Sequence, residues 1–230
     1  MPVKAIFLDF YGTLVHEDDD VLPAIYEQVR ATATATCDTS DIGRYWWGSI
    51  SRMFRDCNGD GFKTQRELAI LSLAETIAHY GSNCAAHDLI QIQFDHWMHP
   101  RLYEDTLPFL QQFRSIPAYI LSNIDTEDVT NAVRHHGIEV QGIITSETVR
   151  AYKPRPEMFI EALRRYNLNT DEVIHIGDSI TSDVFGASSV GMQTIWLNRL
   201  NKRQPDDIEP NYICGNLDEA AQIIRQSEEI

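Results

Sequence analysis

Five short apolar runs punctuate the chain, at Val3 to Leu8, Ala118 to Leu121, Gly142 to Thr145, Val173 to Ile176 and Gln193 to Leu197. None has a helical period, and each has the length and composition of a strand buried on both faces of a parallel sheet. Segments with apolar residues at helical intervals separate the later runs. That alternation predicts an α/β fold built on a doubly wound, Rossmann-like parallel sheet. Four of the runs have polar residues at or just after their carboxyl ends: Asp9, then Ser122 with Asn123, then Ser146, then Asp178. Ligands of such sheets bind along that edge, so the expected site lies there.

The long stretch between the first and second runs does not fit the repeat. Ile25 to Ala33, Ile42 to Arg55, Thr64 to Tyr80 and Ala86 to His99 carry apolar residues at helical spacing, with loops near Asn58 to Gly61 and Gly81 to Asn83. The expected organisation is a Rossmann-like core of residues 1–15 and 102–230, with an all-helical insert of residues 16–101 after strand 1. Trp46, Trp47, Phe94, Trp97 and Met98 are expected to form the packing core of this insert.

Composition narrows the function classes. The 230 residues suit one domain with a sizeable insertion. Against 34 Asp and Glu stand 19 Lys and Arg, a formal charge of -15. No general attraction to a nucleic-acid backbone or an anionic membrane follows from that balance, so neither is an expected partner. No apolar run approaches the ~18 residues of a membrane span and no signal-peptide pattern opens the chain, so a soluble cytoplasmic protein is expected, monomer or homodimer. Cys37, Cys57, Cys84 and Cys214 are irregularly spaced and read as free structural thiols.

The segment Asp9-Phe10-Tyr11-Gly12-Thr13-Leu14 puts a carboxylate at the tip of the first strand, followed by a glycine that permits a tight turn. Ser122 and Asn123 supply hydroxyl and amide groups at the tip of the next, Lys153 supplies a cation, and Gly177-Asp178-Ser179 with Asp183 adds two carboxylates. In this order the four segments resemble the motifs of the haloacid dehalogenase-like hydrolase superfamily, and the likeness spans the chain, including a helical cap after the first motif. The resemblance implies that Asp9 is a covalent nucleophile, that Ser122, Asn123 and Lys153 bind the transferred group, and that Thr13 belongs to the same catalytic motif. It also implies a Mg²⁺ site made by Asp9, the backbone carbonyl of Tyr11, Asp178 and Asp183. Elementary electrostatics agrees: an ionised carboxylate attacking an anionic phosphate is repelled, and a second carboxylate beside it adds to the repulsion unless a cation holds both.

Tyr11 departs from the pattern. Phosphatases that this chain resembles carry Asp two positions after the nucleophile, as acid and base. A phenol with a pKa of ~10 is a poor base, a loss typically worth ~10²–10⁴-fold. Tyr at this position resembles the 2-haloacid dehalogenases of the superfamily, whose leaving group needs no proton. Those enzymes work without metal and have Ser and, two residues on, Asn where this chain has Asp178 and Ile180. They also need a cap Arg, for which Arg30, Arg44 and Arg52 are candidates. Asp178 is harder to explain in a dehalogenase than Tyr11 in a phosphatase, where a good leaving group, His16 or a water can supply the proton. The expected activity is therefore a Mg²⁺-dependent phosphatase acting on a small anionic molecule. A haloacid dehalogenase and a non-catalytic binding protein are the alternatives.

Asp56-x-Asn58-x-Asp60-Gly61 followed by Glu67 matches the spacing of a calcium-binding loop. Lys63 at its eighth position is unusual, and no sister loop is present. A turn at Asn58-Gly59 and a capping box from Thr64 to Glu67 account for the same letters.

Overall fold

The computed structural model describes residues 3–228. Six parallel strands form one sheet: β1 (Ala5–Leu8), β2 (Ala118–Ser122), β3 (Gly142–Thr145), β4 (Val173–Gly177), β5 (Gln193–Leu197) and β6 (Tyr212–Cys214), in the order β3-β2-β1-β4-β5-β6. The chain leaves β1 toward β2 and β3 and then returns to its other side for β4, so the direction of winding reverses between β1 and β4. That reversal opens a crevice at the carboxyl ends of the two strands. Both faces of β1 are covered. Ile6 and Leu8 pack with Ile120, Ile174 and Phe109 on one side, and Ala5 and Phe7 with Leu121, Ile144 and Phe159 on the other.

Five α-helices lie between His16 and Arg101: α1 (Leu22–Thr32), α2 (Thr39–Asp56), α3 (Gln65–His79), α4 (Ala86–Leu89) and α5 (Gln91–Met98). The core helices follow: α6 (Thr106–Gln112), α7 (Thr126–His136), α8 (Ser146–Val149), α9 (Glu157–Tyr166), α10 (Gly186–Ser188) and α11 (Leu217–Glu228). Asp38 with Asp41 and Thr64 with Glu67 form reciprocal capping boxes that start α2 and α3. The chain enters and leaves the helical insert side by side, with the His16 N–H donating to the Arg101 carbonyl at 2.8 Å.

A second junction joins insert and core. The Asp125 carboxylate accepts the backbone N–H groups of Gln65 and Arg66 at 2.8 and 3.0 Å, and the Arg66 guanidinium donates twice to buried Asp128, at 2.8 and 2.5 Å. The Tyr152 hydroxyl donates to the Lys63 carbonyl at 2.8 Å. The insert is thereby fastened to the segments that carry Ser122, Asn123 and Lys153.

Two expectations are corrected, one strand lies outside those expected, and one pair of alternatives is decided. Trp47 is 70% exposed while Trp46 is buried, because neighbours on a helix point about 100° apart and here the second ring is turned to the outer face of α2. The helix expected over 86–99 is two helices that meet at Ile90, whose backbone stays in the right-handed helical region (φ -70°, ψ -15°), so the apolar period runs through the break unseen. The edge strand β6 is three residues long with Ile213 half exposed, too short and too mixed to read as an apolar run. The Asp56 to Glu67 segment is not gathered as a calcium loop. Glu67 Oε2 accepts the Thr64 N–H at 2.8 Å, and the Arg150 side chain donates to the Gly59 and Asp60 carbonyls at 2.8 and 3.4 Å, a cation where calcium would need oxygens. Among the described residues, only Asp9, Asp178 and Asp183 group as carboxylate, His or Cys donors able to hold a metal.

Candidate active site

Asp9 directly follows β1, and its N–H donates to the Ile176 carbonyl of β4 at 2.9 Å, which seats it in the crevice between the two strands. The loop beyond it turns tightly at Gly12, whose φ is +80°. A Cβ there would lie 2.6 Å from Cγ of Asp178, so the glycine allows both the turn and the close approach of that carboxylate. Asp178 follows β4. A single π-helical turn, Ile180–Phe185, then carries Asp183 back beneath the strand end, where the Ser179 N–H donates to Oδ2 at 3.1 Å. Such turns concentrate at functional sites because they redirect one side chain without ending the helix. One oxygen from each of Asp9, Asp178 and Asp183 lies within 4.8 Å of the others.

Lys153 sits at the centre of this group. Its Nζ donates to Asp9 Oδ1 at 2.7 Å, Asp183 Oδ1 at 2.6 Å and the Leu121 carbonyl at 2.8 Å. An ammonium has three protons, and all three are engaged. Asn123 fixes the Lys153 backbone from both ends of its amide, accepting the Lys153 N–H at 2.7 Å and donating to the Lys153 carbonyl at 3.2 Å. The Asn123 side chain thus positions Lys153. Ser122, 1% exposed, accepts the Ile124 N–H at 3.3 Å, which leaves its hydroxyl proton free. Buried Thr13 reaches Asp9 Oδ2 at 3.4 Å.

The Tyr11 hydroxyl donates to the Trp97 carbonyl of α5. Burial, with Asp128, Glu17 and Asp18 nearby, pushes the phenol well above its ordinary value of 10, and its hydrogen bond ties the loop after β1 to the insert. His16 stacks on Tyr103 at 3.8 Å, with Nε2 3.4 Å from the Arg101 guanidinium. Burial and Arg101 lower its pKa.

The charges do not balance. Burial, and then the neighbouring carboxylates, push Asp178 up to about 7, with Asp9 the stronger neighbour. Burial also raises Asp9 to about 6 despite Lys153. Burial opposes the charge of Asp183 as well, but Lys153 and His175 outweigh it and hold that group at about 2. Lys153 itself is held above its ordinary value, because Asp183 and Asp9 overcome the effect of burial. Three carboxylates thus surround one buried ammonium, and Asp178 pairs with the half-exposed Lys202 at 3.7 Å. A cluster of hard oxygen donors with surplus negative charge fits a divalent hard cation. Lys202 and His175 are among the neighbours that escaped the sequence reading. Lys202 approaches through a loop of no regular pattern, and His175 lies inside an apolar strand where it reads as filler.

A family model described as haloacid dehalogenase-like hydrolase matches residues 3–191. The chain belongs to that family and is a hydrolase. Its sequence is 26% identical over 184 residues to a glyceraldehyde 3-phosphate phosphatase of Methanopyrus kandleri, covering 67% of this chain and 78% of the relative. Among solved structures it resembles the L-2-haloacid dehalogenase RSc1362, with a TM-score of 0.82 and 20% identity over 98% of this chain and 100% of that one. It also resembles the putative hydrolase YfnB of Bacillus subtilis, described as bound to magnesium, with a TM-score of 0.76 and 20% identity over 97% and 99% of the two chains. At such identities these two likenesses speak for the fold alone.

Proposed function

We propose that this hydrolase is a Mg²⁺-dependent phosphatase that acts on a small-molecule phosphate through an aspartyl-phosphate on Asp9, beneath a cap formed by residues 16–101 on a core of residues 1–15 and 102–230. The observation that carries the reading is the grouping of Asp178 with Asp9 and Asp183, whose mutual repulsion calls for a cation. Asp9, Asp178, Asp183 and the Tyr11 carbonyl would hold Mg²⁺. When bound, it would offset the repulsion between the nucleophile and the phosphoryl oxygens.

A carboxylate oxygen of Asp9 attacks phosphorus, and the bond from phosphorus to the leaving oxygen breaks. The leaving oxygen takes a proton from water, since Tyr11 is tied to Trp97. The Ser122 hydroxyl and Lys153 hold the phosphoryl oxygens, Lys153 by giving up one of its present acceptors. Water then attacks phosphorus, the bond from phosphorus to the Asp9 oxygen breaks, and the water's proton neutralises the hydroxide left by the first step, releasing inorganic phosphate and restoring Asp9.

Tyr11 favours the dehalogenase as the second reading, but the three arginines considered for its carboxylate clamp are engaged elsewhere. Arg30, Arg44 and Arg52 are 45%, 75% and 50% exposed and pair with Glu27, Asp41 and Glu75 on the outer surface of the insert. Assays of phosphoesters, acyl phosphates and 2-haloacids with and without Mg²⁺ separate the readings. Phosphate release that EDTA abolishes is expected. Metal-free halide release from 2-chloropropionate would replace the phosphatase with the dehalogenase, and ligand-induced thermal stabilisation without turnover would favour a binding protein. Mg²⁺ affinity should also rise from about pH 5 to about pH 8, because Asp9 and Asp178, raised to about 6 and about 7, must lose protons to bind it. A flat profile would contradict that role.

A further inference from the structure

Asp183 is held by more than Lys153. His175, in the middle of β4 and wholly buried, places Nε2 3.1 Å from Asp183 Oδ1, the same oxygen that accepts from Lys153 at 2.6 Å. The other oxygen, Oδ2, accepts the Ser179 N–H at 3.1 Å. The carboxylate lies against Gly177, where any Cβ would collide with it. A carboxylate so held by Lys153 and a backbone amide can only accept. The ring nitrogen facing it must therefore be the one that carries hydrogen. The other nitrogen, Nδ1, is buried and has no hydrogen-bond partner among the described residues, as the lone pair of a neutral imidazole can be. The edge of the His175 ring packs against Phe159 with centroids 5.2 Å apart, which fixes the ring plane.

We infer that His175 is a positioning residue for the reaction: its Nε2–H fixes the rotation of Asp183, and Asp183 in turn keeps the Lys153 ammonium directed at Asp9. The inference rests on the phosphatase reading for the reaction it serves, but the hydrogen bond itself does not. Without the Nε2–H, Oδ1 has Lys153 as its one remaining donor, and the carboxylate can rotate and draw the ammonium off the nucleophile. The glutamine side chain carries its amide nitrogen at the reach of imidazole Nε2, whereas asparagine is one bond too short.

His175→Leu is expected to lower kcat roughly ten- to a hundredfold, the scale of one hydrogen bond to a charged group, with KM little changed. His175→Gln should restore kcat to within a fewfold, and His175→Asn should behave like the leucine variant. Equal loss in the glutamine and leucine variants, both shown folded by thermal melting, would overturn the inference, as would full activity of His175→Leu. If the variants do not fold, ¹⁵N NMR of the wild-type imidazole decides: a neutral ring protonated on Nε2 is expected, and protonation on Nδ1 alone overturns it. That spectrum needs no substrate, so it stands even if Asp9-dependent phosphate release is never found.

Discussion

Asp9→Asn is expected to abolish phosphate release, by roughly 10⁴–10⁶-fold, because a carboxamide oxygen cannot form the covalent intermediate. The loss should come without loss of fold. Burial raises the Asp9 carboxyl to about 6, above its ordinary 3.8, so the native state binds its proton more tightly than the unfolded chain does. A raised carboxyl opposes folding as pH climbs through that value, and a neutral amide of the same shape removes the opposition. The melting temperature of the variant at neutral pH is therefore expected to equal or exceed that of the parent. Turnover retained within tenfold would remove Asp9 from the mechanism, and a collapse in melting temperature would mean that the activity loss reports unfolding.

Lys153→Met should have the opposite thermodynamic signature. The ammonium is 4% exposed and neutralises Asp9 and Asp183 from 2.7 and 2.6 Å. Removing one member of a buried ion cluster leaves its partners unpaired, which typically costs about 3–5 kcal/mol. Asp183 is the more sensitive partner. Held at about 2, below its ordinary 3.8, it contributes stability that is present at neutral pH and is lost as pH falls through its folded value. In Lys153→Met that contribution is expected to shrink, so urea unfolding should show a lower midpoint at pH 7 and a smaller further loss between about pH 4 and about pH 2. Lys153→Met combined with Asp183→Asn should recover part of the deficit. A single variant within about 1 kcal/mol of the parent would show that the ion cluster does not stabilise the fold.

Much of the architecture could be read from hydrophobic pattern. β3 and β5 have the bounds expected of them, and β1, β2 and β4 differ by a residue or two, because doubly covered strands must be continuously apolar. The strand tips that carry Asp9, Ser122 and Asp178 follow from the same pattern. What escaped depends on contacts between distant segments. Nothing local announces that Tyr11 reaches the Trp97 carbonyl, that Asn123 clamps Lys153, or that the loop with calcium-like spacing is bound to Arg150 and Tyr152. His175 is the clearest instance: one polar letter in a run of apolar ones, given meaning only by a π-helical turn that brings Asp183 back to it.

The central claim is that Asp9 forms a bond to phosphorus, and rapid quenching in acid followed by mass spectrometry of the peptide containing Asp9 tests it most directly. With a turned-over phosphoester and Mg²⁺, a phosphoryl group is expected on Asp9 in the steady state, absent when EDTA is present and absent from Asp9→Asn. Phosphate released in pre-steady-state turnover while Asp9 never carries a phosphoryl group would contradict the account.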